Sequence, residues 1–120
     1  MRFDRFTIRG QEAVQAAIGV AEKAQNQQVE PEHILAAMLE QKEGVLKPIL
    51  GKIGANATAI AADIQASIDK MPKVTGGQQY FSSRTNTLFQ EVQKIAEKMQ
   101  DEYVSTEHLL LSIASEKDGD

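Results

Sequence analysis

The chain contains no cysteine among its 120 residues, so disulfides, thiolate catalysis and cysteine-ligated zinc sites are excluded. It also has no long apolar run, and the longest, residues 34–39, is far too short to span a bilayer. Residues 1–6 include three charged side chains and do not resemble a secretory signal. We therefore expect a cytoplasmic protein with no membrane partner.

The chain also lacks an excess of basic charge, with 13 Lys and Arg against 17 Asp and Glu. The formal net charge is −4, which argues against a surface that binds nucleic-acid phosphates. Hydrophobic residues make up 42% of the chain and charged residues 25%, values that are ordinary for a globular protein. A single domain of this length buries roughly 60–70% of the surface that its unfolded chain exposes, so it needs no disulfide or structural metal to fold.

Catalytic motifs are missing as well. Gly51 and Lys52 lack the upstream glycine and the following Ser or Thr of a phosphate-binding loop. No serine lies in a nucleophile elbow, and with two histidines a catalytic triad is hard to build. We predict that this chain is not an enzyme by itself and that it holds no metal or cofactor.

What the sequence does contain is a repeat. Residues 29–35 recur seventy-five positions later as residues 104–110, and the same offset relates residues 21–23 to 96–98 and Phe6 to Phe81. No gap is needed, and many other pairs keep their apolar character. A gapless repeat of this kind indicates a duplicated structural unit whose two copies pack together, which makes the seam between them a candidate site.

Almost every segment has helical periodicity, so we predict an all-α fold. Helices are expected over residues 7–25 with Thr7 as cap, from Pro31, over 45–53, after Asn56, from about residue 82, and from Ser105 to about 115. Residues 72–80, with two adjacent glycines, form the clear linker. We divide this single domain into repeat one (1–71), linker (72–80) and repeat two (81–120), and expect the chain to be a fragment that ends after the second helix of repeat two.

The two Glu-His pairs, Glu32-His33 and Glu107-His108, admit two interpretations. They could be metal ligands or acid/base pairs, but neither has the second histidine four residues on that a helical zinc site needs. The alternative is a helix-start signature, with the glutamate favoured by the helix dipole and the histidine packing or hydrogen-bonding near the cap. We favour the second interpretation.

The apolar stripes are predicted to form the core. The second copy carries larger apolar groups, such as Leu88 and Phe89 where the first has Ala13 and Val14. Unequal copies need not form a symmetric seam. We therefore also expect an exposed apolar strip at the seam that could bind extended or partly folded peptide.

The sequence resembles the N-terminal repeat domain of Clp-type AAA+ unfoldases in three segments. These are residues 1–7, the doubled Glu-His-(Ile/Leu)-Leu motif and the start of the linker at residues 71–74. The opening and linker are most similar to the ClpB-type disaggregase branch. The resemblance implies that the fold is a pseudo-twofold helical bundle, the Clp N-terminal domain. In that family the domain is tethered above a hexameric ring, and the ring domains, which are absent from this chain, bind ATP and Mg²⁺. It further implies a stress-response chaperone function, in which the domain binds unfolded or aggregated polypeptide in an inter-repeat groove and passes it to the ring.

Family positions associated with substrate handling match Thr7, Asp101 and Glu107, and we add Phe89 and His108 as candidate groove residues. His108 stands where the disaggregase branch often has an apolar residue, so the resemblance implies a more polar or pH-sensitive groove. Thr7 and Glu107 also have structural explanations as helix cap and first-turn carboxylate. Asp101, in a turn, has no such explanation and is the strongest candidate.

Two alternatives remain open at this point. One is an adaptor-docking domain of a ClpA- or ClpC-type unfoldase linked to a protease. The other is a freestanding Clp N-terminal repeat protein that acts as an interaction module.

Overall fold

The computed structural model describes residues 5–41, 46–101 and 103–114. These ranges form the helices and strands α1 Ile8–Lys23, β1 Gln28–Val29, α2 Pro31–Glu40, α3 Leu46–Lys52, α4 Ala57–Asp69, β2 Tyr80–Phe81, α5 Ser83–Lys98 and α6 Thr106–Ala114. The predicted all-α class is confirmed, with one small two-stranded sheet that helical periodicity did not predict. Val45, the predicted first residue of the third helix, lies outside the described residues.

The helix starts show why these segments are helical. The side-chain oxygens of Thr7, Asn56 and Ser82 each accept a hydrogen bond, at 3.1 Å, from the backbone amide three residues later. This bond satisfies one of the amides that a first helical turn leaves without a partner. Pro31 occupies the first position of α2 as predicted, where its missing N–H costs nothing.

The ends of α1 and α5 are built alike. Gln25 and Gln100 both adopt left-handed backbone, with φ of 61° and 59°. The next amide in each copy, that of Asn26 or Asp101, donates to a carbonyl five residues earlier, at 2.9 Å in both. This is a Schellman motif with glutamine where glycine is usual. Two copies of one sequence pattern therefore make the same helix ending.

The seam between the copies is a packed aromatic core. β1 pairs in parallel with β2, placing Val29 opposite Phe81, and an isolated parallel bridge places Phe6 opposite Val104. Each pairing joins one residue from each copy. The rings of Phe6 and Phe81 both meet Phe89 edge to face, with centroids 6.1 and 5.0 Å away. The copies thus share one core, which fixes their relative position.

The first copy is completed by α4, which packs on α2 and buries the side chains of Ile64 and Ile68. The predicted linker then returns along the end of α1. The Val74 amide donates to the Gln25 carbonyl at 2.7 Å, and the Asn26 side chain donates to the Pro72 carbonyl at 3.2 Å. Among the described residues, no helix has the length and hydropathy to cross a membrane. The division of the chain into repeat one, linker and repeat two stays a prediction.

Candidate functional site

Four of the five predicted site residues lie where α1, α5 and α6 meet. Thr7 precedes α1, and its amide donates to the Val104 carbonyl at 2.8 Å. Asp101 follows α5, while Glu107 and His108 lie in the first turn of α6. The bridge between Phe6 and Val104 therefore brings the start of the first copy next to the helix start of the second.

His108 connects Asp101 to the start of α6. Its Nδ1 accepts from the Ser105 amide at 2.8 Å, so its Nε2 carries the proton and donates to Asp101 Oδ2, also at 2.8 Å. The Ser105 hydroxyl lies 3.4 Å from the His108 amide, consistent with the predicted cap. Asp101 therefore has a structural role after all, because its carboxylate anchors the histidine that closes the cap.

The first copy repeats this arrangement with one change. His33 Nδ1 accepts from the Glu30 amide at 2.8 Å, and His33 Nε2 lies 2.9 Å from the side-chain oxygen of Asn26. Asn26 occupies the position that Asp101 has in the second copy. The interpretation of the Glu-His pairs as helix-start signatures agrees with both geometries.

Burial distinguishes His33 further, because it is fully enclosed. Loss of hydration lowers the pKa of His33 below its ordinary value of 6.5, and the nearby carboxylates of Glu32 and Glu30 oppose this without reversing it. The neutral form also fits the hydrogen bonds, since a protonated Nδ1 would face the Glu30 amide donor. His33 is thus held neutral as part of the core.

Ser105, His108 and Asp101 stand in line, as in a hydrolytic triad. The Ser105 hydroxyl is 3.0 Å from His108 Nδ1. A general base needs a free lone pair directed at the hydroxyl, and the backbone amide of Ser105 already engages the lone pair of Nδ1. The arrangement is a helix cap, and nothing in it activates the serine.

Two of the predicted groove residues are not accessible. Phe89 is completely buried between Phe6 and Phe81, and His108 is 5% exposed. Neither can line a groove in this conformation, because the apolar seam is filled by its own aromatic side chains. The structure thus shows these two side chains buried at the seam, and their assignment as substrate-binding residues stays a prediction.

Exposed apolar side chains lie beside the seam instead. Ile8 follows Thr7 and is 78% exposed, Tyr103 precedes the bridge at Val104 and is 49% exposed, and Leu111 is 48% exposed. Leu111 lies one helical turn after Glu107 and therefore on the same side of α6. We call this surface the Glu107 face; it comprises Thr7, Ile8, Asp101, Tyr103, Glu107 and Leu111.

Glu107 contributes to this face a carboxylate that has no ion-pair partner among the described residues. Its carboxylate accepts from the Thr106 hydroxyl at 3.3 Å, and it forms no ion pair with any described residue. Ile8 and Tyr103 were not predicted as site residues. Only the comparison of the copies offered a signal, since Tyr103 replaces the polar Gln28 at the same offset.

The equivalent glutamate of the first copy is paired. Arg84 Nη1 lies 3.0 and 3.3 Å from the two carboxylate oxygens of Glu32. This ion pair borders a groove of about 510 Å³ between α2 and α4. Sequence reasoning missed Arg84, although Arg9 and Arg84 are identical at the repeat offset. In the described part of the chain, no three His, Asp or Glu side chains cluster as metal ligands would.

The Clp repeat N-terminal domain family matches residues 5–120. This chain belongs to that family. The chaperone protein ClpB of Bacteroides thetaiotaomicron is 38% identical over 117 residues, which cover 98% of this chain and 14% of that protein. The family membership confirms the resemblance found in the doubled Glu-His motif.

Solved structures agree on the fold. The Hsp104 N-terminal domain from Candida albicans superposes with a TM-score of 0.82 at 22% identity, covering 89% of this chain and 71% of that one. A ClpV N-domain in complex with a VipB peptide superposes with a TM-score of 0.85 at 17% identity, covering 97% and 71%. This Clp N-domain spans about 14% of the length of the ClpB relative from Bacteroides thetaiotaomicron.

Proposed function

We propose that this domain recruits substrate for an ATP-dependent ClpB-type disaggregase: it binds unfolded or aggregated polypeptide and passes it to an AAA+ ring. The similarity to ClpB chaperones supports the type of parent protein. The observation that supports the binding role is the Glu107 face, which combines exposed apolar side chains with a carboxylate that forms no ion pair with a described residue. The hexameric ring, its ATP and Mg²⁺ and a cytoplasmic location belong to the same proposal.

The chemistry of the face favours weak and unselective binding. Ile8, Tyr103 and Leu111 offer exposed apolar contact, which many different sequences can satisfy. Glu107 adds an attraction for basic side chains that salt screens, since it is exposed. Weak capture suits a recruiting domain, because the segment must leave it to enter the pore.

Substitution of Glu107 tests this role. We expect Glu107→Gln to weaken the binding of a disordered synthetic peptide of alternating leucine, serine and arginine by about two- to fivefold at low salt, since an exposed ion pair contributes up to about 1 kcal/mol. Fluorescence anisotropy measures the affinity. Glu97→Gln is the matched control, because Glu97 is an exposed carboxylate on α5 outside the Glu107 face. Equal losses in the two variants would contradict the proposal.

One observation favours a second candidate function. The ClpV N-domain with a similar fold was solved with a VipB peptide. If the present domain likewise docks a defined adaptor segment, folded adaptors should bind it while α-lactalbumin unfolded by carboxymethylation should not. Comparing the two ligands on the same sample separates adaptor docking from substrate recruitment.

A further inference from the structure

The linker, residues 72–80, has little packing to hold it in place. Residues 72–78 are all exposed, and a cavity of about 330 Å³ lies between the linker and residues 26–30. Hydrogen bonds tether it instead: the amides of Val74 and Tyr80 donate to carbonyls just after α1 at 2.7 and 3.0 Å. A segment with few buried contacts opens locally at a low free-energy cost, so these tethers set its position.

One further tether comes from a buried side chain. Asn26 is 2% exposed, and its Nδ2 donates to the Pro72 carbonyl at 3.2 Å while its Oδ1 lies 2.9 Å from His33 Nε2. His33 Nδ1 accepts from the Glu30 amide at 2.8 Å, so the ring proton is on Nε2 and is donated to Asn26. These three bonds form one chain that runs from the start of α2 to the linker.

The second copy shows why this chain needs an asparagine. Asp101 occupies the same position as Asn26 and accepts from His108 Nε2 at 2.8 Å, with its side chain 45% exposed. A carboxylate only accepts, so it can orient a histidine but cannot also donate to a carbonyl. A carboxamide does both. Asparagine is therefore the residue that can connect the buried histidine to the Pro72 carbonyl.

We propose that His33 and Asn26 form a proton-controlled latch on the linker: neutral His33 directs the Asn26 amide at the Pro72 carbonyl, and protonation of His33 releases the linker. An imidazolium carries a proton on both nitrogens, so its Nδ1–H would face the N–H of Glu30. The ring must turn away from this amide, and because it is rigid its Nε2 leaves Asn26 as well. The latch uses none of the side chains of the Glu107 face and stands apart from the proposed function.

The sign of the pH dependence follows from the enclosure of the ring. Burial lowers the pKa of His33, and the carboxylates of Glu32 and Glu30 on its own element oppose this without reversing it. In the released state the ring regains hydration and binds the proton more tightly. As pH falls below about 6.5, the equilibrium therefore shifts towards release, by up to about tenfold per pH unit.

The neighbouring elements bring further charged groups. Arg84 of α5 pairs with Glu32 at 3.0 Å, and Asp63 of α4 lines the same groove. The ammonium of Lys73, in the linker, donates to the carbonyl of the α1 C-cap at 3.4 Å. α6 carries His108 near its start. The charges that act on the His33 ring are the two carboxylates of its own helix start.

Hydrogen exchange of the ¹⁵N-labelled chain, followed by NMR, measures the latch through the Val74 amide. Val92, buried in α5, reports on opening of the whole domain. We expect Asn26→Asp, which keeps an acceptor for His33 but removes the donor to Pro72, to lower the protection of Val74 by about tenfold or more at neutral pH, and that of Val92 by much less. Asn86→Asp is the matched control, because exposed Asn86 donates to a carbonyl outside the latch and its loss should leave Val74 protected.

A second variant keeps the test decisive if Asn26→Asp does not fold. His33→Gln retains an acceptor and a donor but cannot take up a proton. From about pH 7.5 to about pH 5.5, the protection of Val74 should fall in the wild type and stay constant in His33→Gln. The same pH dependence in both, or full protection of Val74 in Asn26→Asp, overturns the inference. So does equal protection of Val74 and Val92 in the wild type, because the linker would then open only with the whole domain.

Discussion

Replacing Phe89 with alanine should strongly reduce the free energy of unfolding but have little direct effect on the affinity for unfolded polypeptide. Phe89 is fully buried and touches two aromatic rings edge to face, at 6.1 Å from Phe6 and 5.0 Å from Phe81. Removing a buried phenylalanine costs about 3–5 kcal/mol through lost transfer energy and the cavity that remains, and this range includes part of the ring contacts. For a domain of this size we expect the midpoint of thermal unfolding to fall by about 10–20 °C.

Thermal and urea unfolding followed by circular dichroism measure the effect. Leu111→Ala is the control, because Leu111 is apolar but half exposed, and its loss should change stability by less than about 0.5 kcal/mol. The milder Phe89→Leu should fall between wild type and alanine while keeping the native NMR spectrum. If Phe89→Ala unfolds like the wild type but loses affinity for unfolded polypeptide, then Phe89 is a ligand contact and the packed seam described above is incorrect.

Two further predictions concern His33 and the helix ends. Because burial lowers the pKa of His33, the unfolded chain takes up a proton before the native one as pH falls below about 6.5, so stability should decrease from pH 7 to 5 by up to about 1.4 kcal/mol per pH unit. Urea unfolding should show a shallower decrease for His33→Gln, and parallel pH curves would refute this. Gln100→Gly should stabilise the domain by about 0.5–1 kcal/mol, because glycine adopts φ of 59° without strain. Gln90→Gly, at an exposed position within α5, should destabilise by about 1 kcal/mol, and the same sign in both unfolding experiments would contradict the argument.

Local patterns predicted the helices well because their signals lie within a few residues. Thr7 and Asn56 cap helices where a short polar side chain precedes an apolar stripe, and Pro31 opens α2. The strand pairings were not predictable in this way. Val29 meets Phe81, and Phe6 meets Val104, only because the copies pack together, and neither segment is long enough to show strand alternation.

In the candidate site, too, the sequence indicated local features but not the contacts made by tertiary packing. Comparing the copies singled out the two Glu-His pairs, and the family resemblance made Glu107 a site candidate, but neither could show that His108 closes a cap with Asp101 or that Phe89 lies in the core. Those contacts depend on tertiary packing. Conversely, Ile8 is exposed because of the direction in which the first turn of α1 faces. A single apolar residue in the sequence does not indicate that direction.

The most direct test of substrate capture is an NMR titration of the ¹⁵N-labelled domain with reduced, carboxymethylated α-lactalbumin. The account predicts shifts that cluster on the Glu107 face, at Thr7, Ile8, Tyr103 and Glu107, while the buried seam around Phe89 changes little. Unchanged spectra at high ligand concentration, or shifts confined to other surfaces, would contradict the claim that this face captures unfolded polypeptide.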